Sequence, residues 1–221
     1  MNYQANDYEL ILIDNTKNKF KSAAEALNYG GNKAKGKYIL FVHQDVDLSS
    51  ESLKELELIL DSINDLGVAG VAGKSESTRF IISNIKEGTP PKLTGIQINE
   101  PVKVQTLDEC LFIIPKKNFN RLKFDKNVCS GWHLYAVDYS LSVLEMGWNV
   151  YVVPANIYHH SAGESFSNEY YDILKKLIEK HKNNYNWIYT TMGHWNSVYP
   201  FILQIIFNRS IFYWTKLKKK F

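Results

Sequence analysis

Cysteine is scarce: the 221 residues hold two, Cys110 and Cys129, and these form no C-x-x-C pair. That argues against a zinc ribbon or a disulfide scaffold and makes a reducing compartment the default, with both thiols read as plain core residues. Long apolar runs are lacking too. None reaches the roughly 18 residues that a membrane-spanning helix requires. The start shows no basic-then-apolar pattern of a secretory signal. Charge of one sign is not in large excess, since the net charge is +3, too little for a polycation that holds nucleic acid by its overall field. The excess is local, in the C-terminal "TKLKKKF". The expectation is a cytoplasmic protein, with any membrane contact peripheral, at the inner face.

What is present is ordinary globular material, 45% hydrophobic and 22% charged, of a length that suits one α/β domain or one domain with a tail. "YELILIDN" predicts a short buried strand from Glu9 to Ile13 that emerges at Asp14-Asn15. Ser22 and Glu25 are spaced as a capping box, so a helix is predicted there, with Gly30-Gly31 interrupting or ending it. "GKYILFVHQD" is the next strand. Leu53, Leu56, Leu60 and Ile63 then recur at helical spacing behind a serine cap, and "GVAGVAG" is another strand. Strand, helix, strand, helix, strand is the pattern of a parallel sheet covered by helices. After a turn-rich excursion through "GTPPKLTG", "KVQTLDECLFIIP" restores a strand. Val137, Leu141 and Leu144 mark a helix face that Gly147 closes ahead of "NVYVVP". A polar helical stretch from Asn168 to His181 and an aromatic-rich tail complete the chain.

In an open parallel sheet, ligands gather at the carboxyl ends of the strands. "FVHQDVDL" packs His43, Asp45 and Asp47 into five positions at such an end. Asp14 stands at another, and His159 and His160 follow a third. Carboxylates and imidazoles together suit Mn²⁺, Mg²⁺ or Zn²⁺, with a diphosphate and water completing the coordination. Asp47 is better placed to cap the following helix than to bind an ion.

The run "ALNYGGNKAKGKYILFVHQDV" resembles the nucleotide-binding half of family-two glycosyltransferases of the GT-A fold. Asn28, Gly30, Ala34, Gly36 and Tyr38 stand at that family's spacings, and His43-Gln44-Asp45 occupies its D-x-D slot. The H-Q-D form is most similar to the streptomycin-biosynthesis-protein-like branch. Downstream, "GWHLYAVDYSLSVLEMGWNVYVVPANIYHHSAGES" resembles the acceptor half, with His160, Gly163 and Ser165 matching its H-x-x-G-x-S element. The resemblance covers residues 8 to 165. It implies a Rossmann-like, mostly parallel mixed sheet flanked by helices, divided into a GT-A-like domain at 1–165 (nucleotide half 8–73, acceptor half 104–165) and a helical, aromatic, basic tail at 166–221. The family usually has a strand ahead of "YELILIDN". Residues 1–7 are too short and polar to supply it, so the sheet is expected to close by pairing its neighbours or to be completed from elsewhere, with a shallow base pocket.

The resemblance also implies roles. Asp45, His43 and His160 are expected to hold a divalent Mn²⁺ or Mg²⁺, with His43 either a ligand or a hydrogen-bond donor to the diphosphate, and with His159 facing the core. Nucleotide and donor contacts are expected from Asp14, Asn15, Asn28 and Lys33, and around the sugar from His43, Asp108 and Trp132. Trp132 either stacks on a sugar ring or fills the core. Many members carry an E-D pair where this chain has Tyr135-Ala136, so the base falls to Asp138, which a helix N-terminus would also stabilise, or to His133. The expected reaction moves a sugar from a UDP- or GDP-type donor to a carbohydrate or lipid-linked acceptor, in polysaccharide or glycoconjugate synthesis. The alternatives are a degenerate sugar-nucleotide-binding or partner-binding protein, and a nucleotidyltransferase, which would need a glycine-rich basic loop not found here. The apolar, basic end at 198–221 is either a membrane-surface segment or a packed helix with solvated lysines.

Overall fold

The computed structural model describes residues 8–48, 50–155, 157–160 and 166–218. Residues 8–15 run without joining a strand ladder. That corrects the strand predicted from Glu9 to Ile13. The apolar run is only half used: Leu10 and Leu12 point to solvent, while Ile11 and Ile13 turn inward, Ile13 against Gly30.

Along the chain follow α1 (Ala23–Lys33), β1 (Tyr38–Val42), β2 (Val46–Asp47), α2 (Ser50–Asp61), β3 (Leu66–Gly70) and β4 (Ala72–Lys74). The turn-rich excursion carries three short strands, β5 (Ile82–Ser83), β6 (Lys86–Glu87) and β7 (Lys92–Leu93). Where the pattern predicts one strand, the chain makes β8 (Val102–Lys103), β9 (Thr106–Leu107) and β10 (Leu111–Pro115). Then come α3 (Lys116–Arg121), α4 (Tyr135–Glu145), β11 (Asn149–Val152), β12 (Tyr158–His159) and α5 (Asn168–His181). The tail is a hairpin, β13 (Trp187–Thr190) and β14 (Gly193–Asn196), followed by α6 (Phe201–Lys218).

The principal sheet has the order β1-β10-β3-β11-β8. β1, β3 and β11 share one direction, and β10 runs antiparallel between β1 and β3. Its strands are nearly continuous apolar runs because both faces are covered. In β10, Phe112 and Ile114 join the core beneath α1, α4 and α5, while Leu111 and Ile113 join a second core beneath Leu56 and Leu60 of α2. Each such fully buried side chain contributes about 1.5–3 kcal/mol. The first core also takes in Leu174, Leu177, Ile188 and Trp195.

Two helix ends follow their sequence signals. Ser22 Oγ accepts from the Glu25 N–H at the start of α1, and Gly147, at φ 79°, follows the end of α4. Gly30 and Gly31, however, do not end α1, which continues to Lys33. They serve packing instead: a Cβ on Gly31 would lie 2.4 Å from the Phe119 ring.

Candidate active site

β1 carries the chain into His43, whose N–H donates to the Cys110 carbonyl at 2.9 Å, fixing the loop to the start of β10. Burial, with the neighbouring His159, lowers the His43 pKa against the charges of Asp108 and Asp45 and so favours its unprotonated imidazole. Its Nε2 is hydrogen-bonded to the Tyr135 hydroxyl at 2.9 Å.

Three residues on, β2 pairs antiparallel with β12, matching His159 to Val46 and Tyr158 to Asp47. This register sorts the histidine pair. His159 is buried with Nε2 3.3 Å from Asp45 Oδ1, whereas His160 lies outside, 2.9 Å from Asp47 Oδ2, with both side chains more than half exposed. One donor atom each from His43, Asp45 and His159 falls within 4.8 Å of the others. The expected set puts His160 beside Asp45 and His43, with His159 turned to the core; the structure instead brings His159 to His43 and Asp45 and leaves His160 outside, against Asp47. The sequence carries a signal for this: Ala155, Ile157 and His159 alternate as the buried side of one extended run.

The cluster opens into a cleft of about 280 Å³ whose walls include Asp108, Glu109, Trp132, His133 and Tyr170. Asp108 is aimed by two contacts: Oδ1 accepts from the Cys110 N–H at 3.0 Å and Oδ2 from the Thr191 hydroxyl at 2.8 Å. Trp132 is 45% exposed and lines the cleft, so it is not a core residue. His133 Nε2 lies 3.3 Å from the Ser167 hydroxyl and 3.7 Å from Glu169 Oε2. Leu134 follows at φ 62°, a left-handed conformation that a bulky side chain rarely adopts and that costs about 1–3 kcal/mol. The turn it makes starts α4 and presents the N–H groups of Leu134, Tyr135 and Ala136 to Glu109.

Sequence reasoning missed Glu109. Burial, then the charge of Asp108, raises its carboxyl well above the usual range, although those three N–H groups favour the ion. Its Oε1 is enclosed without a hydrogen-bond partner among the described residues. It brings a carboxyl group from the β9–β10 connection to the helix start where Tyr135-Ala136 supplies none. Only a pairing of distant segments could show this.

Other expected residues stand elsewhere. Asp138 is 2% exposed and salt-bridged within the fold: Lys180 Nζ donates to both its oxygens at 2.9 and 3.0 Å, and His181 Nε2 lies 2.9 Å from Oδ1. It does not line the cleft. Nor do Asp14, Asn15, Asn28 or Lys33. Asp14 accepts from the Thr16 N–H in a turn, and Asn15 makes both its amide bonds to Phe20. Asn28 clamps the Phe124 backbone through both amide ends, and the Lys33 ammonium sits 4.3 Å from the Tyr29 ring. Gly163 and Ser165 lie outside the described residues, as do residues 1–7.

The curated "ATP synthase subunits region ORF 6" of Fuscovulum blasticum is 23% identical over 162 residues, covering 68% of this chain and 61% of its own length. The chain thus spans less than two-thirds of that relative. The crystal structure of GalNAc-T7 with UDP, GalNAc and Mn²⁺ resembles this fold with a TM-score of 0.52 at 13% identity, over 72% of this chain and 34% of that one. The architecture, a mixed sheet flanked by helices, is that of a GT-A glycosyltransferase. Residues 4–181 match the model described as "Glycosyltransferase like family". With that match spanning most of its length, the chain belongs to the glycosyltransferase-like family.

Proposed function

We propose that the cleft transfers a sugar from a UDP- or GDP-type nucleotide diphosphate to a hydroxyl of a carbohydrate or lipid-linked acceptor, in polysaccharide or glycoconjugate synthesis. The observation that carries this reading is the convergence of His43, Asp45 and His159 within 4.8 Å at one end of a cleft. Two imidazoles and a carboxylate suit a divalent transition-metal ion such as Mn²⁺ better than Ca²⁺, which takes oxygen ligands only. The low basicity of His43 fits, since a ligand must be unprotonated. When bound, such an ion supplies positive charge opposite a departing diphosphate.

The chain's own residues do the rest. Asp108, aimed by Thr191 and the Cys110 N–H, orients the sugar hydroxyls, and the exposed Trp132 face stacks on a sugar ring. His133 takes the acceptor proton while the acceptor oxygen bonds to the anomeric carbon and the sugar–diphosphate bond breaks. Glu169 stabilises the resulting imidazolium from 3.7 Å. His133 is preferred to Asp138 as base because Asp138 is enclosed and paired to Lys180 and His181. The His43-Gln44-Asp45 form supports placement in the streptomycin-biosynthesis-protein-like branch.

The test is release of nucleoside diphosphate from a panel of UDP- and GDP-sugars, with and without Mn²⁺. Mn²⁺-dependent release, lost in His133→Ala, is expected. Metal-dependent nucleotide binding without release would establish the silent binding protein instead. Release of pyrophosphate from a nucleoside triphosphate would establish the nucleotidyltransferase.

A further inference from the structure

α6 is built inside out. Among its described side chains the two buried ones are amides: Gln204 and Asn208 are 8% and 9% exposed. Gln204 Oε1 accepts from the Asn196 N–H while its Nε2 donates to the Asn196 and Tyr199 carbonyls. Asn208 does the same for His194, accepting from its N–H and donating to its carbonyl. The inner face thus satisfies the backbone of β14, with Phe201 and Ile205 packed beside it. The outer face carries Ile202, Leu203, Ile206 and Phe207, each between 57% and 65% exposed, next to exposed Val198 and Tyr199. A helix at a protein–water boundary has the opposite arrangement. An exposed apolar patch of this kind marks a contact surface.

Charge says which kind. From Lys182 to Phe221 the sequence holds no Asp or Glu, and Arg209, Lys216, Lys218, Lys219 and Lys220 are all basic. A second copy seated on this face by two-fold symmetry would set like against like, bringing two basic segments together. An anionic lipid surface offers both complements at once, an apolar layer beneath and negative headgroups above. Among the described residues no helix is long and apolar enough to cross a membrane, so the contact is one of lying on the surface.

We propose that the outer face of α6 docks on anionic membrane, its apolar side chains entering the headgroup region and the basic C-terminal sequence supplying the attraction. The consequence for the cleft is geometric. α6 is bonded to β14, and the Thr190–Met192 turn that precedes β14 lines the cleft. Docking therefore holds the cleft beside the bilayer, where an acceptor carried on a lipid would be presented.

The experiment is flotation of the full chain with vesicles of phosphatidylcholine alone or mixed with phosphatidylglycerol, independent of any glycosyl transfer. Binding to the mixed vesicles is expected, at least about tenfold above phosphatidylcholine alone and weakened by added salt. Ile202→Ser combined with Leu203→Ser, Ile206→Ser and Phe207→Ser should lose it, with the far-UV spectrum unchanged because these side chains are exposed. Lys216→Gln with Lys218→Gln, Lys219→Gln and Lys220→Gln should remove the preference for anionic lipid. If the serine variant misfolds, the lysine variant and the salt series decide alone. No vesicle binding, binding indifferent to phosphatidylglycerol, or a dimer by light scattering that the serine variant abolishes would each overturn the proposal.

Discussion

Two adjacent histidines have opposite fates. His159 is 6% exposed and faces Asp45, whereas His160 faces Asp47 at the surface. If the inner cluster holds the ion, Asp45→Ala and His159→Ala should weaken Mn²⁺-dependent UDP or GDP binding by on the order of 100-fold, and His160→Ala should leave it near wild type. Calorimetry in the presence and absence of Mn²⁺ decides this; a loss confined to His160→Ala would return the site to that residue. Glu109 gives a prediction with a definite sign. Its folded pKa is raised above the ordinary 4.5, so over the interval above that value the folded state keeps a proton that the unfolded chain has released. Stability must then fall as pH rises above the ordinary carboxyl value and through the raised folded one, by about 1.4 kcal/mol for each unit by which the pKa is raised. Glu109→Gln removes that titration. Its thermal midpoint should be flatter with pH than wild type and relatively higher at the alkaline end, and parallel curves for the two proteins would refute the assignment.

At the scale of elements, packing overrides local preference. Alanine in place of a helical glycine usually gains about 1 kcal/mol of propensity. In α1 a Cβ at Gly31 would press into the Phe119 ring at 2.4 Å, and overpacking costs about 1–3 kcal/mol. Gly31→Ala is therefore expected to lower the urea midpoint, not raise it. α4 and α5 are tied by a buried charge cluster in which His181 sits between Asp138 at 2.9 Å and Glu145 at 2.7 Å, with Lys180 alongside. Removing one partner of such a cluster leaves buried charge uncompensated, typically at a cost of about 3–5 kcal/mol. Asp138→Asn should show that loss in denaturant unfolding while the protein that remains folded keeps its transfer rate. A variant of full stability with no transfer would restore Asp138 as the base.

For the whole molecule, the cleft gathers side chains from the β1–β2 turn, the β9–β10 connection, the start of α4, β12, α5 and the turn before β14. A ligand that binds only this assembled state must stabilise all of it. Mn²⁺ with UDP or GDP, each at about 100 times its dissociation constant, should add about 2.7 kcal/mol or more to unfolding, and Asp45→Ala should abolish the gain. Differential scanning calorimetry measures both. A chelator should remove the increment without unfolding the protein, because the two hydrophobic cores contain none of the three donors.

Much of this was legible one-dimensionally. The order of helices α1, α2, α4 and α5, the glycine after α4, and the arrival of His43 and Asp45 at a strand end follow from hydrophobic periodicity and capping chemistry. Those signals report how a residue sits within its own element. They carry no information about which distant element lies opposite. The antiparallel insertion of β10, the choice of His159 over His160, the reach of Glu109 to the start of α4, and the retirement of Asp138 and Asn28 into structural bonds depend on pairing between segments far apart in sequence. α6 shows the limit most plainly: its composition marks an apolar helix with a basic end, but which face turns inward is tied to the outer backbone edge of β14, whose N–H and C=O groups the amides of Gln204 and Asn208 satisfy together.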